Sequence, residues 1–327
     1  MSLQIINYSG NLLSSFHSSQ QVHPTLWKTS LYIQGSTIRG AVLGCMIRKN
    51  CEGDYISNLA SMTTVEEIGK YHRDCSKIDC PVKFFFQEKV YYIFSIANFS
   101  KPEVYTTCRV PLTKEHRTTV YGKMVSFEYI PEKTDFNGHI IMFNPANGLV
   151  NEVVEALRWV GVNEGIGHYK SIGFGRFNIT NFSEGSKLES PKIPKKGERG
   201  YRWKSISPFI LAIEEQEKRT NGFSLLSELV IERATELINW GVIDKVTGLQ
   251  LSEERIRFVY RPELVRRISL ETGHRLLRLA GGVESVLQID DNALGEADLE
   301  VINKSLYLGI GHWRECGFGR FEPKSEN

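Results

Sequence analysis

One 13-residue segment occurs twice in this 327-residue chain, and it constrains the fold more than any other feature. Gly165-Ile-Gly-His-Tyr-Lys-Ser-Ile-Gly-Phe-Gly-Arg-Phe177 returns as Gly309-Ile-Gly-His-Trp-Arg-Glu-Cys-Gly-Phe-Gly-Arg-Phe321. Nine of the 13 positions are identical, four in GIGH and five in GFGRF. The offset, 309 − 165 = 144 residues, is far longer than a solenoid repeat and suits a duplicated domain. Each copy lies at the end of its half of the chain, so the motif closes a unit.

The flanks support a duplication. Asn151–Val162 and Ala297–Leu308 both carry apolar residues at helical spacing, and a short β-like run follows each glycine segment. Each half therefore ends as helix, glycine-rich loop and strand. A Rossmann motif has the opposite order, with a strand before the glycines and a helix after them. Between the halves, Ser183–Gly200 is rich in Ser, Pro, Gly and Lys and lacks periodicity, which marks a linker over 184–199. The expected division is a first domain over 1–183 and a second over 200–327.

In the first half, Leu3–Tyr8 reads as a strand. Ser36 is a candidate N-cap for a helix over Ile38–Ile47. The segment near 49–81 reads as an insertion. Strands are expected at Val82–Phe86, Val90–Ile96, Met124–Ile130 and Phe136–Phe143, with Thr106–Tyr121 as a polar loop or hairpin. In the second half, strands are expected at Ser205–Ile213, Arg255–Tyr260 and Ser285–Ile289, and a helix over Ser224–Trp240; Pro262–Gly282 allows either helix or strand. The predicted fold class is α+β, two tandem ferredoxin-like (RRM-like, βαββαβ) domains, the second a diverged copy of the first.

Composition sets bounds. Hydrophobic residues make up 41% and charged residues 24%, a globular mix, and no apolar run reaches membrane-spanning length. No membrane partner is expected. Residues Met1–Gly10 lack the pattern of a secretory signal, and six cysteines suit reduced thiols, so a cytoplasmic location is expected. The net charge is +2, from 40 basic and 38 acidic residues, so positive charge for nucleic acid has to be local.

The glycine loops supply such charge. Glycine lets backbone N–H groups approach an anion without obstruction by Cβ. His168, Lys170 and Arg176 flank one loop, and His312, Arg314 and Arg320 the other. These are the parts of an RNA site: N–H groups and cations for phosphate, ring faces for bases. The competing reading is a tight turn packed on a sheet, which duplication alone can preserve.

The loop pattern G-x-G-x-x-x-x-x-G-x-G before a last strand resembles the signature of the CRISPR-associated RAMP superfamily. Tyr32-Ile-Gln-Gly-Ser-Thr-Ile-Arg-Gly-Ala-Val42 is similar to the Y-I-P-G-S-T-I-R-G-A segment of type III effector subunits, with Gln34 where proline is usual. The V-x-L…G-x-M-x-x-x-E…F-x-G-x-I pattern within Arg109–Met142 is similar to the middle of those subunits. The resemblance covers most of the first half; in the second it rests on Ile206–Ile210 and the terminal loop.

The resemblance implies a CRISPR RNA-binding subunit of a type III-like effector ribonucleoprotein in antiviral defence. The two-domain layout is most similar to the subunit that recognises the repeat-derived 5′ handle. Its implied partners are CRISPR RNA and other effector subunits, and its implied RNA contacts are Gly165, Gly167, Gly173 and Gly175, then Gly309, Gly311, Gly317 and Gly319. Ser36 and Arg39, at the start of the first helix, and Arg109, Lys114 and Arg117, in a hairpin that runs along guide RNA, are implied as well. The alternative within the family is a metal-independent endoribonuclease that processes precursor CRISPR RNA, with His17 and His23 as candidate general acid or base. Another alternative is an adaptor that keeps the fold without touching RNA. Residues 9–35 contain no Asp or Glu, which argues against the acid-dependent target cleavage of the backbone subunits.

No cofactor is expected. His72-x-x-Cys75-x-x-x-x-Cys80, with Cys51, forms a half-site for structural zinc; reduced cysteines are the competing reading. Related subunits carry a C-P-x-C segment, whereas here Cys80-Pro-Val is followed by Lys83.

Overall fold

The computed structural model describes residues 3–23, 26–50, 80–86, 92–109, 125–185, 192–197, 200–210, 224–243, 251, 255–259, 262–268, 275–290 and 294–324. The first half runs β1 (Leu3–Leu12), β2 (Ser19–His23), β3 (Leu26–Thr29), β4 (Tyr32–Ile33), α1 (Gly35–Asn50), β5 (Tyr92–Phe94), β6 (Ala97–Phe99), β7 (Tyr105–Arg109), β8 (Val125–Tyr129), β9 (Asp135–Phe143), α2 (Leu149–Asn163) and β10 (Phe177–Gly185). The second runs β11 (Tyr201–Ser205), α3 (Ser224–Asn239), β12 (Ile256–Val259), β13 (Pro262–Ile268), β14 (Arg275–Gly281), β15 (Val286–Ile289), α4 (Glu296–Leu308) and β16 (Phe321–Pro323).

Both halves have one topology. The first sheet has the order β10-β1-β9-β6-β4, with β5 also on β9; the second has β12-β15-β11-β16. Counted within each half, the central strands lie in the order 4-1-3-2, and these central pairs are antiparallel. That is the ferredoxin-like arrangement, in which two βαβ crossovers interleave. Two further sheets occur among the described residues. A small sheet, β2-β3-β8-β7, stands beside the first half, and β13 and β14 form a hairpin in the second.

Strand alternation decides what each sheet face carries. On β1, Ile6, Tyr8 and Leu12 join Val42, Met46, Val153, Leu157 and Val160 of the two helices in one core. Leu3 and Ile5 face the other way and pack, with Ile93, Ile141 and Phe143, on Leu237, Val301 and Leu308 of the second half. The Phe143 and Trp240 rings lie 4.5 Å apart in this seam. The second half has its own core around Trp203, Ile302, Leu306 and Phe321. There the Trp203 indole N–H donates to Asn303 Oδ1 at 2.9 Å, which satisfies a polar atom inside the core.

The structure corrects several local expectations. Residues Pro81–Phe86 form a 3-10 turn, with Val82 and Phe85 anchored in the core beside α1. Helix α1 begins at Gly35, one residue before the expected cap; a Cβ on Gly35 would lie 2.0 Å from the Phe94 carbonyl oxygen and 2.3 Å from that of Cys316. The strand expected at Ser205–Ile213 is misplaced: β11 is Tyr201–Ser205 and shares only Ser205 with it, while residues 211–213 lie outside the described residues. Beyond β11, residues 206–210 run along the second glycine loop. Within Pro262–Gly282, β13 and β14 pair as an antiparallel hairpin. Strand β10 carries two residues into the segment read as linker. Residues 51–79, most of the insertion, lie outside the described residues. No described helix is long and apolar enough to cross a membrane.

Candidate nucleic-acid interface

The two glycine loops are closed by the same hydrogen bonds. In the first, Ile166 N–H donates to the Gly175 carbonyl at 2.9 Å, His168 N–H to that of His17 at 2.8 Å, and Gly175 N–H to that of Ser15 at 2.8 Å. In the second, Ile310 N–H donates to Gly319 at 3.0 Å, His312 N–H to Ile210 at 2.9 Å, and Gly319 N–H to Pro208 at 2.8 Å. Arg176 N–H is received by Ser14 Oγ and Arg320 N–H by Ser207 Oγ, each at 2.9 Å. Each loop thus docks on the segment that follows the first strand of its own half.

The equivalence of these two docking segments was missed at the level of sequence. Leu13-Ser14-Ser15-Phe16 and Ile206-Ser207-Pro208-Phe209 are the two copies, offset by 206 − 13 = 193 residues. The match between them, four residues with two identities, is too short to stand out without the hydrogen bonds that pair each with its loop.

The glycines are required by backbone geometry. Gly165, Gly167, Gly173 and Gly175 have φ between 71° and 93°, and Gly309, Gly311, Gly317 and Gly319 between 75° and 95°. A Cβ on Gly175 or Gly319 would lie 1.8 Å from the carbonyl oxygen of Ile166 or Ile310. Their N–H groups are used internally. Gly165 donates to Val160 and Gly173 to Lys170, while Gly309 donates to Leu306 and Gly317 to Arg314. With Gly175 and Gly319, six of the eight glycine N–H groups are spent within the protein. The glycines therefore shape the turn first, and most of their N–H groups are engaged inside the protein.

Those side chains differ sharply between the copies. Around the first loop, His168, Lys170 and Arg176 are exposed, and Ile172 is 56% exposed at the tip. Lys170 and Arg176 have no carboxylate partner among the described residues. The second loop is enclosed. Arg320 is 2% exposed, with Nε donating to the Tyr307 carbonyl at 2.8 Å and its guanidinium 4.8 Å over the Tyr307 ring. Arg314 is held by Glu236 at 3.1 Å and Glu232 at 3.7 Å. A Cβ on Gly317 would meet the Phe94 carbonyl at 2.6 Å, because this loop packs on the first half. Gly309, Gly311, Gly317, Gly319 and Arg320, expected at an RNA surface, are thus buried within the chain, and His312 and Arg314 are half-buried beside them.

Arg39, also expected at an RNA surface, is enclosed likewise. It is 7% exposed and donates to the Tyr92 hydroxyl at 3.0 and 2.8 Å, and that hydroxyl donates to the Phe85 carbonyl at 3.1 Å. Arg39 ties α1 to β5 and the 3-10 turn. Ser36 is half-buried in the first turn of α1.

His17 is buried rather than presented in a polar loop. Its Nδ1 lies 2.6 Å from the Glu128 carbonyl oxygen, and its ring stacks on Tyr169 with centroids 5.4 Å apart and planes at 21°. Burial, together with the nearby His168, lowers its pKa against a smaller opposing effect of the Glu128 hydrogen bond. A neutral His17 enclosed in this way supports the loop and is not presented as a general acid. His23 lies in β2 and Arg109 in β7, with side chains outside the described residues, as are Lys114 and Arg117 altogether. Cys80 is buried, while His72, Cys75 and Cys51 lie outside the described residues. No metal-ligand cluster occurs among the described residues.

An aromatic row continues from the first loop onto the small sheet. Tyr169 and Phe174 lie 6.0 Å apart, Phe174 and Tyr129 6.3 Å, and Tyr129 stacks on Tyr105 at 5.9 Å and 26°. These separations are those of directly interacting rings. Tyr105, at the far end, is 47% exposed.

The fold and this face define a tandem ferredoxin-like α+β protein with one exposed glycine loop. No protein-family model matches the chain, and no curated protein matches it. Among solved structures, a chain from the cryo-EM structure of the Type III-B Cmr-beta bound to cognate target RNA aligns with a TM-score of 0.39 and 11% identity. That match covers 56% of this chain and 61% of the other, less than two thirds of its length. The crystal structure of Cmr6 from Pyrococcus furiosus aligns with a TM-score of 0.34 and 14% identity, over 55% of this chain and 98% of the other.

Proposed function

We propose that this chain is a CRISPR RNA-binding subunit of a type III-like effector ribonucleoprotein, gripping the repeat-derived 5′ handle with its first glycine loop. The observation that carries the reading is the asymmetry of the duplicated loop. One copy has its cations tied up inside the protein. The other offers Lys170, Arg176 and His168 to solvent beside the Tyr169–Phe174–Tyr129–Tyr105 row. Cations for phosphate next to ring faces for bases suit single-stranded RNA. The motif resemblance supplies the CRISPR context, and other effector subunits as partners belong to the same reading.

Filter binding with repeat-derived RNA at low salt tests it. Binding that weakens in Lys170→Ala and Arg176→Ala, and not in Lys304→Ala on α4, is the expected result. No binding by the unaltered protein would refute the reading.

A further inference from the structure

The open face of the first sheet changes character along its strands. Its lower part, with Ile5, Ile141 and Phe143, is apolar and lies under the second half. One residue pair further along, the face turns polar. Asn7 is opposite His139 on β9 and Ser183 on β10; Ser9 is opposite Asn137 and Asn181. Two rows of three uncharged hydrogen-bonding side chains therefore cross three adjacent strands. With strands about 4.8 Å apart, each row spans about 10 Å.

These six residues line a cavity of about 280 Å³. That is near the lower end of the roughly 300–1,000 Å³ range of small-ligand sites, suited to one small planar group. Among the described residues no carboxylate, Lys or Arg lines it, so this lining does not favour a phosphate or an ammonium group. Amides and hydroxyls both donate and accept, as the edge of a base does. His139 Nε2 is buried and unpartnered among the described residues. Burial, with Arg320 nearby, holds this imidazole neutral, so one ring nitrogen donates and the other accepts.

We propose that this polar grid is a subsite for one unpaired nucleobase of a bound RNA, read through its hydrogen-bonding edge. The inference rests on the RNA-binding reading and adds to it a base-reading position away from the glycine loop. A base buried there would exchange water for protein partners at several positions.

Photo-crosslinking of single-stranded, repeat-derived RNA carrying 4-thiouridine, with parallel affinity measurements, tests the inference. Crosslinks are expected in the peptides of β1, β9 and β10. Asn181→Leu should remove them and weaken binding about threefold to tenfold, the worth of one or two net hydrogen bonds. Asn181 is exposed, and an unchanged thermal melt confirms that this variant folds; Asn7→Leu provides a second variant at the same site. Tight RNA binding with unchanged affinity in both variants and no crosslinks on these strands would overturn the subsite and leave the RNA reading standing. An unaltered protein that binds no RNA would overturn both.

Discussion

Gly173 and Gly175 lie two residues apart in the exposed loop, both at positive φ, 93° and 77°. They should respond very differently to alanine. At Gly173 a Cβ meets nothing within 4 Å, so Gly173→Ala costs only the left-handed conformation, about 1–2 kcal/mol. At Gly175 the added Cβ lies 1.8 Å from the Ile166 carbonyl oxygen. Relieving that overlap separates the two sides of the loop. It breaks the Ile166–Gly175 hydrogen bond at 2.9 Å and the Gly175–Ser15 bond at 2.8 Å. At about 0.5–1.5 kcal/mol net for each bond, the total destabilisation is about 2–5 kcal/mol. Urea unfolding with linear extrapolation measures both variants. Equal destabilisation, within about 0.5 kcal/mol, would refute the claim that Gly175 is fixed by packing. RNA binding supplies a second readout. The Gly173 N–H already serves Lys170, so Gly173→Ala should keep its RNA affinity; a large drop would favour a backbone cradle.

The remaining predictions concern charge, the second core and pH. Removing Lys170 and Arg176 together should flatten the salt dependence of RNA binding, by about 0.7 in the log–log slope for each phosphate these two cations neutralise. Asn303→Ala should lower stability by about 1–3 kcal/mol in thermal or urea unfolding, since it leaves the buried Trp203 N–H without its acceptor. Burial lowers the pKa of His17, His139 and His312 below the usual histidine value. The unfolded chain therefore takes up protons first as pH falls. Their contribution to stability is full above about pH 6.5 and is lost as pH falls from there through the lower folded-state values. A melting temperature that does not fall with acid in this range would refute it, and His139→Gln should flatten the profile.

Much of the architecture is legible in the chain. The 144-residue repeat announces the duplication, and the helices α2, α3 and α4 follow from apolar periodicity because each buries one stripe on a sheet. Short apolar runs are less legible. Val82–Phe86 has strand-like composition, yet it forms a 3-10 turn that packs Val82 and Phe85 into the core beside α1. The site divides in the same way. Glycine spacing identifies both loops, but identical residues meet different neighbours.

By itself, the sequence determined that a 13-residue segment recurs and that each copy follows a helix and precedes a strand. Periodicity and φ preference are local properties, carried by residue type and spacing. Only the tertiary structure decided which loop faces solvent. Burial depends on what packs alongside: the second copy is sealed by Phe94, Tyr307, Glu232 and Glu236, and among the described residues the first has no such cover over Lys170 and Arg176. Thirteen nearly identical residues thus became an inter-domain seam in one half and an exposed cationic face in the other.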